Sequence, residues 1–261
     1  MNDERSELGR RAAVHAALGD PARLAIVDAL LLGEASPSEL QTLLEMPSNL
    51  LAHHVRVLER AGVVSRHRSE GDRRRTYLSL APDALPALGP TPLTRSAPNS
   101  AGDSAGGVVG DVVRVVFVCT ENSARSQLAA ALWTVESDLP ASSAGTHPAR
   151  AVHPGAVAVA RRRAVPLVPA PPRHIDDVLH PDDIVITVCD AAHEELGAGA
   201  AGTSGVGGRR LHWSIPDPAR TGAASAFERT VDQLVDRISR LAPVIQAAIR
   251  PAARPNPGPV T

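Results

Sequence analysis

Val115-Val116-Phe117-Val118-Cys119-Thr120-Glu121-Asn122-Ser123-Ala124-Arg125-Ser126-Gln127 puts a cysteine just past an apolar run and an arginine six positions later. Val112 to Val118 is β-rich and apolar without alternation, as expected of a strand buried on both faces. Ser126 to Glu136 favours a helix, with Leu128, Ala131, Leu132 and Val135 expected on one side. The residues between them therefore join a buried strand to a helix N-terminus, where backbone N–H groups and the helix dipole favour an anion. Thr120, Glu121, Asn122, Ser123 and Ala124, with Ser126, are the candidate oxyanion loop. Cys119 is the candidate nucleophile, because the same field favours a thiolate. Arg125 can offer two parallel N–H donors to a tetrahedral anion. Asn122 and Ser126 are placed to hydrogen-bond the sulfur and fix the loop.

The chain has 261 residues, enough for two domains, and its formal net charge of -1 gives no global pull toward nucleic acid or a membrane. DNA binding would have to come from a local patch. No apolar segment approaches the ~20 residues that span a bilayer, and the charged start MNDERSELGRR lacks a signal-peptide core, so a cytoplasmic protein with no membrane partner is expected. Cys119 and Cys189 are too few for a disulfide framework. All 27 basic residues are arginine, and the chain is rich in Ala, Pro and Gly, which reads as a GC-rich genome. Residues 81–110 hold repeated Pro, Gly, Ser and Ala, the composition of a flexible linker. Residues 251–261 carry four prolines and read as a disordered tail. The boundaries expected are thus 1–80, a linker 81–110, 111–250 and the tail 251–261. A loose connector transmits little conformational bias, so tight coupling between the halves is not expected.

In the second half, Cys119 to Ser126 resembles the signature of the low-molecular-weight tyrosine phosphatase superfamily, especially its arsenate reductase branch. Ser143-Ala144-Gly145-Thr146, His153-Pro154, the run Asp183 to Asp190 and His212-Trp213-Ser214-Ile215-Pro216-Asp217-Pro218 extend the resemblance from about Val112 to Ala248. It implies an α/β domain, a small parallel four-stranded sheet flanked by helices, with Asp217 as general acid. It also implies a relay role for Cys189, since thioredoxin-linked reductases carry a thiol there. They usually carry a third cysteine shortly after, and His193-Glu194-Glu195-Leu196-Gly197 has none. Two routes stay open: an external thiol attacks the Cys119 adduct, or Cys189 acts as resolving thiol and leaves a disulfide for a redoxin. His153, His174, His193 and His212 stand too far apart for a recognisable metal motif, so no metal is expected.

In the first half, Arg11 to Leu18 and Ala22 to Leu32 read as helices, the second with Leu24, Val27 and Leu31 on one face and Asp20-Pro21 at its start. A third helix is expected from Ser38 to Leu44. A fourth follows Pro47, with Ser48 as N-cap, a stripe of Leu51, Val55 and Leu58, and Gly62 at its close. The next stretch patterns as a hairpin with Glu70-Gly71-Asp72 at its tip and Arg66, Arg68, Arg73, Arg74 and Arg75 on its arms. LGDPARLAIVDALL, SNLLAHHVRVLERAGVV and the hairpin resemble the ArsR-type winged-helix repressors. The resemblance implies a mainly α winged-helix domain that binds a double-stranded DNA operator. Ser48, Asn49, His53, His54 and Arg56 would face the groove and its phosphates, and Arg73, Arg74 and Arg75 would grip phosphate. Glu34 to Leu40 contains no cysteine, so the arsenite-binding thiol pair of arsenic-sensing members is missing. A homodimer would rest on Asp3 to Leu18 or on the second half.

The function expected is arsenate reduction fused to a DNA-binding regulator. The alternatives are a phosphatase acting on phosphotyrosine or a small phosphoester, and a non-catalytic transcription factor that senses oxyanion or redox state. Residues 111–261 contain no tyrosine and few aromatics, which suits inorganic arsenate or phosphate better than an aryl ring. No bound cofactor is expected. The reductant would be an external thiol, with mycothiol and mycoredoxin slightly favoured by the GC-rich composition over thioredoxin or glutathione with glutaredoxin.

Overall fold

The computed structural model describes residues 2–81, 114–198 and 210–249. The expected linker 81–110 lies almost entirely outside the described residues, and the expected tail 251–261 wholly so.

The first half packs α1 (Asn2–Leu18), α2 (Pro21–Leu32), α3 (Pro37–Leu43) and α4 (Ser48–Arg60) against a hairpin of β1 (Val64–Arg68) and β2 (Thr76–Leu80). Asp20 caps α2 through its side chain, with Pro21 in the first turn. Its buried face is Ile26, Val27 and Leu30, whereas Leu24, expected inside, is exposed. The third helix starts one residue earlier than expected because Ser36 and Glu39 close a reciprocal capping box. The fourth has Pro47 rather than Ser48 at the N-cap position and no side-chain cap.

The second half is a four-stranded parallel sheet in the order β4 (Ala141–Gly145), β3 (Val115–Cys119), β5 (Ile184–Thr187), β6 (Leu211–His212). Its helices are α5 (Arg125–Glu136), α6 (Pro154–Arg162), α7 (Asp190–Ala198) and α8 (Ala224–Ile249). All five residues of β3 are buried, as a central parallel strand with both faces covered requires. Phe117 on β3 sits between Trp133 of α5 and Trp213, with ring centroids 5.8 and 5.7 Å away. Val231, Leu234, Ile238 and Leu241 form the buried stripe of α8. On α5 the expected Val135 is exposed and Trp133 takes the inward position. Chain direction from β3 diverges to β4 on one side and β5 on the other, so a crevice opens at the carboxyl end of β3, where Cys119 lies.

The two halves are docked, contrary to the loose coupling expected from the linker's composition. The Trp213 indole N–H donates to the Leu32 carbonyl at 3.0 Å, and the Glu34 amide to the His212 carbonyl at 2.9 Å. A Cβ on Gly33 would run into that same carbonyl. Glu34 also pairs with Arg237, Glu39 with His193 at 2.7 Å, and the Tyr77 hydroxyl donates to Glu194 at 3.2 Å. Composition sets how a linker behaves when nothing else constrains it; here side chains on both halves do.

Candidate active site

Loop 119–125 is held from outside by its carbonyls. Those of Cys119, Thr120, Glu121 and Ser123 accept from the amides of Thr146, His147, Ala149 and His153, at 2.7 to 3.1 Å. The Asn122 carbonyl accepts from Gln127 Nε2 at 2.9 Å. A loop whose carbonyls are engaged on its outer side turns its amides inward. The Asn122 amide shows this directly, donating to Cys119 Sγ at 3.2 Å. The turn needs Asn122 at φ 51°, a left-handed conformation that Asn tolerates better than most residues. Ala124 precedes α5 without a side-chain cap, leaving that helix N-terminus open to the loop.

Ser126 Oγ lies 3.1 Å from Cys119 Sγ. The Asn122 side chain does not reach the sulfur as expected but buttresses the loop, Nδ2 donating to Ser126 Oγ and Ser143 Oγ at 2.9 Å each while Oδ1 accepts from the Arg173 amide at 3.0 Å. Glu121 stands exposed on the rim, its carboxylate accepting from the Ser123 hydroxyl at 3.1 Å. Arg125 is buried; NH1 donates to the Ile215 carbonyl at 3.0 Å and NH2 lies 3.5 Å from Asp217 Oδ2. Burial works against the guanidinium charge, but the sulfurs of Cys189 and Cys119 and the carboxylates of Asp217 and Glu70 more than offset it and raise its pKa. Asp217 also accepts from the Ala219 amide at 3.1 Å and opens the short turn Pro218–Arg220.

Cys189 follows β5 by two residues and is 2% exposed, the same as Cys119. Its sulfur is 3.5 Å from Thr120 Oγ1, against the loop. Burial pushes the Cys189 thiol up, with the Arg125 charge acting the other way. A cleft of about 390 Å³ opens beside Asp217, lined by Glu70, Asp217, Arg220, Arg229 and Gln233 among others. No residue of loop 119–125 lines it.

Glu70 is a residue that sequence reasoning treated only as a hairpin tip. Its Oε2 accepts from the Asp217 amide at 3.0 Å. His193 and His212, read as ordinary from sequence, stack at 4.1 Å and share Thr187 as a neighbour of both rings. His212 Nε2 bonds to Asp190 at 3.1 Å. Nothing local in the sequence marks these roles; the signal would have been the unusual concentration of Glu, Asp and His on two segments that meet only in the folded chain.

Of the candidate DNA contacts, Ser48, Asn49, His53 and Arg56 are exposed on α4, and Arg73, Arg74 and Arg75 on the turn between β1 and β2. Arg74 pairs with Asp72, Nε to Oδ1 at 3.0 Å. His54 is a correction: it is 7% exposed and turned inward toward Asp20, 3.8 Å away. It follows Leu51 by three positions and precedes Leu58 by four, so it belongs to the apolar stripe of α4 rather than to the groove-facing side.

A model of the low molecular weight phosphotyrosine protein phosphatase family matches residues 114–251, and a helix-turn-helix domain model matches residues 18–67. An arsenate reductase of Bacillus licheniformis is 31% identical over 137 residues, covering 49% of this chain and 94% of that protein. Among solved structures, an arsenate reductase from Archaeoglobus fulgidus is 26% identical, with 49% of this chain and 98% of that one covered and a TM-score of 0.42. A thioredoxin-dependent arsenate reductase from Corynebacterium glutamicum is also 26% identical, covering 54% of this chain and 65% of that one at a TM-score of 0.42. Among the described residues no helix is long and apolar enough to cross a membrane. The chain carries a helix-turn-helix domain ahead of its catalytic half, and it belongs to the low molecular weight phosphotyrosine protein phosphatase family.

Proposed function

We propose that residues 111–250 reduce arsenate and that residues 1–80 bind operator DNA, a combination that serves arsenic detoxification. The observation that carries the reading is the setting of Cys119, whose sulfur meets the Asn122 amide and the Ser126 hydroxyl in a loop that ends at the buried Arg125. The Bacillus relative's name supports arsenic as the reacting centre.

In this reading the Cys119 thiolate attacks arsenic and forms an S–As bond, while an arsenate hydroxyl takes a proton from Asp217 and leaves as water. The loop amides and Arg125 hold the charge on the remaining oxygens. A second thiolate then attacks the Cys119 sulfur. An S–S bond forms, the S–As bond breaks, and its electron pair stays on arsenic, which leaves as As(III). Two thiols are oxidised to one disulfide for each arsenate reduced.

The second thiol is external in this reading. Cys189 touches the loop, but burial pushes its thiol up, which disfavours the thiolate that would have to attack. Mycothiol with mycoredoxin suits the Arg-rich, Ala-rich composition; thioredoxin is the donor named for the Corynebacterium protein. Hydrolysis of a phosphoester would use the same first step with water as second nucleophile. A phosphotyrosine ring would need an apolar wall, yet both Phe, both Trp and the single Tyr of the chain are all buried. A small inorganic oxyanion fits that distribution.

Arsenite formation by the full chain, supplied in turn with thioredoxin, glutathione plus glutaredoxin, and mycothiol plus mycoredoxin, tests the proposal. Turnover with one donor, lost in Cys119→Ser, supports it. Aryl phosphate hydrolysis with no arsenite from any donor overturns it. Retained arsenate turnover in Cys189→Ser removes the resolving-thiol route, and a salt-sensitive shift of duplex DNA tests the first half.

A further inference from the structure

We propose that the hairpin tip of the helix-turn-helix domain, residues 69–72, is a wall of the catalytic cleft, so that the DNA-binding half selects the substrate: it admits an inorganic tetrahedral oxyanion and shuts out aryl and peptide phosphoesters. The inference deepens the reading above and rests on it for the nucleophile and for Asp217 as proton donor.

Glu70 bridges the two segments that flank the Cys119 loop. Its amide donates to Asp190 Oδ2 at 2.7 Å, next to Cys189, and its carboxylate accepts from the Asp217 amide at 3.0 Å. Its other oxygen is 3.6 Å from Arg220. Asp72 anchors the tip again, its amide donating to Glu194 Oε2 at 2.8 Å. Gly71 lets the tip lie flat on α7: a Cβ there would meet Glu194 Oε2 at 2.7 Å and the Ala191 Cα at 3.0 Å. The contact is thus built from four hydrogen-bonding or charged pairs and a close backbone approach.

Its consequence follows from where a leaving group must go. The oxygen that leaves is the one beside Asp217, so any substituent on that oxygen projects past Asp217. Glu70 stands there, and both of them line the outer cleft, which no residue of the Cys119 loop reaches. Arsenate loses only a hydroxyl and needs no room at that point. An aryl phosphate needs the volume that Glu70 fills.

The test uses the full chain carrying Cys189→Ser, so that Cys119 is the one thiol, with Gly71→Val to lift the tip and Glu70→Ala to shorten it. The first readout is the rate of Cys119 alkylation by iodoacetamide against a bulky pyrenyl maleimide. The second is kcat/KM for para-nitrophenyl phosphate. Both variants are expected to raise the bulky-to-small alkylation ratio about tenfold, and aryl phosphate kcat/KM by about fivefold or more, a size expected when a steric exclusion is relieved. Glu70→Gln, which keeps the volume and the acceptor, is expected to leave the alkylation ratio at the parent value, since that readout reports the steric wall and not the charge. An unchanged alkylation ratio in folded Gly71→Val and Glu70→Ala proteins overturns the wall. A raised ratio in a chain whose arsenate and aryl phosphate turnover never exceeds that of Cys119→Ser upholds the wall and overturns the catalytic reading instead.

Discussion

The Asn122 amide group and the Ser126 hydroxyl form a direct link under the nucleophile: Nδ2 donates to Oγ at 2.9 Å, and Oγ in turn lies 3.1 Å from Cys119 Sγ. Because Asn122 is also tied to Ser143 and to the Arg173 amide, the serine is fixed by a network that spans three separate segments. Asn122→Ala keeps the sulfur, the arginine and the fold but lets Ser126 rotate and loosens the left-handed turn. Turnover is expected to fall about 10- to 100-fold, the scale of losses seen when a reacting group is misplaced by an ångström. Steady-state kinetics beside an unchanged circular dichroism spectrum checks it; undiminished kcat would remove Asn122 from the positioning role.

Gly145 ends β4 beneath the loop, where a Cβ would come within 2.7 Å of the Thr120 carbonyl and 2.9 Å of the Asn122 amide. Both are backbone atoms of the oxyanion loop and cannot swing aside. Gly145→Ala is expected to displace the loop, lowering activity more than tenfold and stability by about 1–3 kcal/mol, as overpacking does. Urea unfolding together with a rate assay measures both. A variant as active as the parent would show that the loop tolerates the shift.

What could be read from sequence tracks contact distance along the chain. Cys119, Asn122, Arg125 and Ser126 fall within eight residues, so strand, loop and helix patterns place them without tertiary knowledge. The inward turn of His54 was missed, although its spacing to Leu51 and Leu58 puts it on the stripe, because residue polarity outweighed stripe position. Glu70 was not legible: its partner Asp217 is 147 positions away, and a charged hairpin tip ordinarily reads as solvated. The same holds for the pairs Glu39–His193 and Glu34–Arg237, separated by 154 and 203 positions. Patterning within an element specifies which face is buried; it carries no information about which surface of another domain will cover a polar tip.

Glu34 carries a charge into the contact between the two halves, accepting from Arg237 and from the Ser214 amide, the latter at 3.2 Å. Removing one partner of a buried pair strands the other. Glu34→Ala is expected to cost about 3 kcal/mol and to separate the halves before either unfolds. Limited proteolysis of the chain and a two-step melting curve would report this. A single cooperative melt at the parent temperature would show that docking does not depend on the pair.

The docking surface is acid-sensitive with a definite sign. His212 has its pKa lowered, chiefly by burial, so its neutral ring belongs to the folded state. Its contribution is complete above its ordinary value near 6.5 and declines as pH falls below that, because the unfolded chain takes up the proton first. Glu39 and Asp190 act further down. Burial opposes their ionisation, but His193 at Glu39, and His212 with Ser214 at Asp190, bring each to about 2. Their stabilisation is present above the ordinary carboxylate range and is lost as pH falls through about 2. The melting temperature is therefore expected to drop by several degrees between pH 7.5 and 5.5, with a second decline below pH 4.5. In His212→Asn the first decline should vanish; a persistent one would assign it to another group.

On α4 the inward His54 and the outward Arg56 separate two effects that a single DNA-binding assay would confuse. Arg56 is exposed, beside Asn49 and His53, in the position a phosphate or base edge would meet. Arg56→Ala is expected to weaken operator binding by about tenfold and, if the contact is to phosphate, to reduce the slope of log affinity against log salt by about one unit. His54 packs in the stripe with Leu51, Val55 and Leu58 and has no groove to reach. His54→Leu is expected to leave affinity and salt slope within about twofold of the parent while altering thermal stability, because a polar ring whose buried Nδ1 makes no hydrogen bond is replaced by an apolar side chain of similar volume. Fluorescence anisotropy with a labelled duplex across a salt series measures both variants. Loss of binding in a stable His54→Leu protein would place that side chain on the DNA after all and would mean that α4 rotates when it meets the duplex.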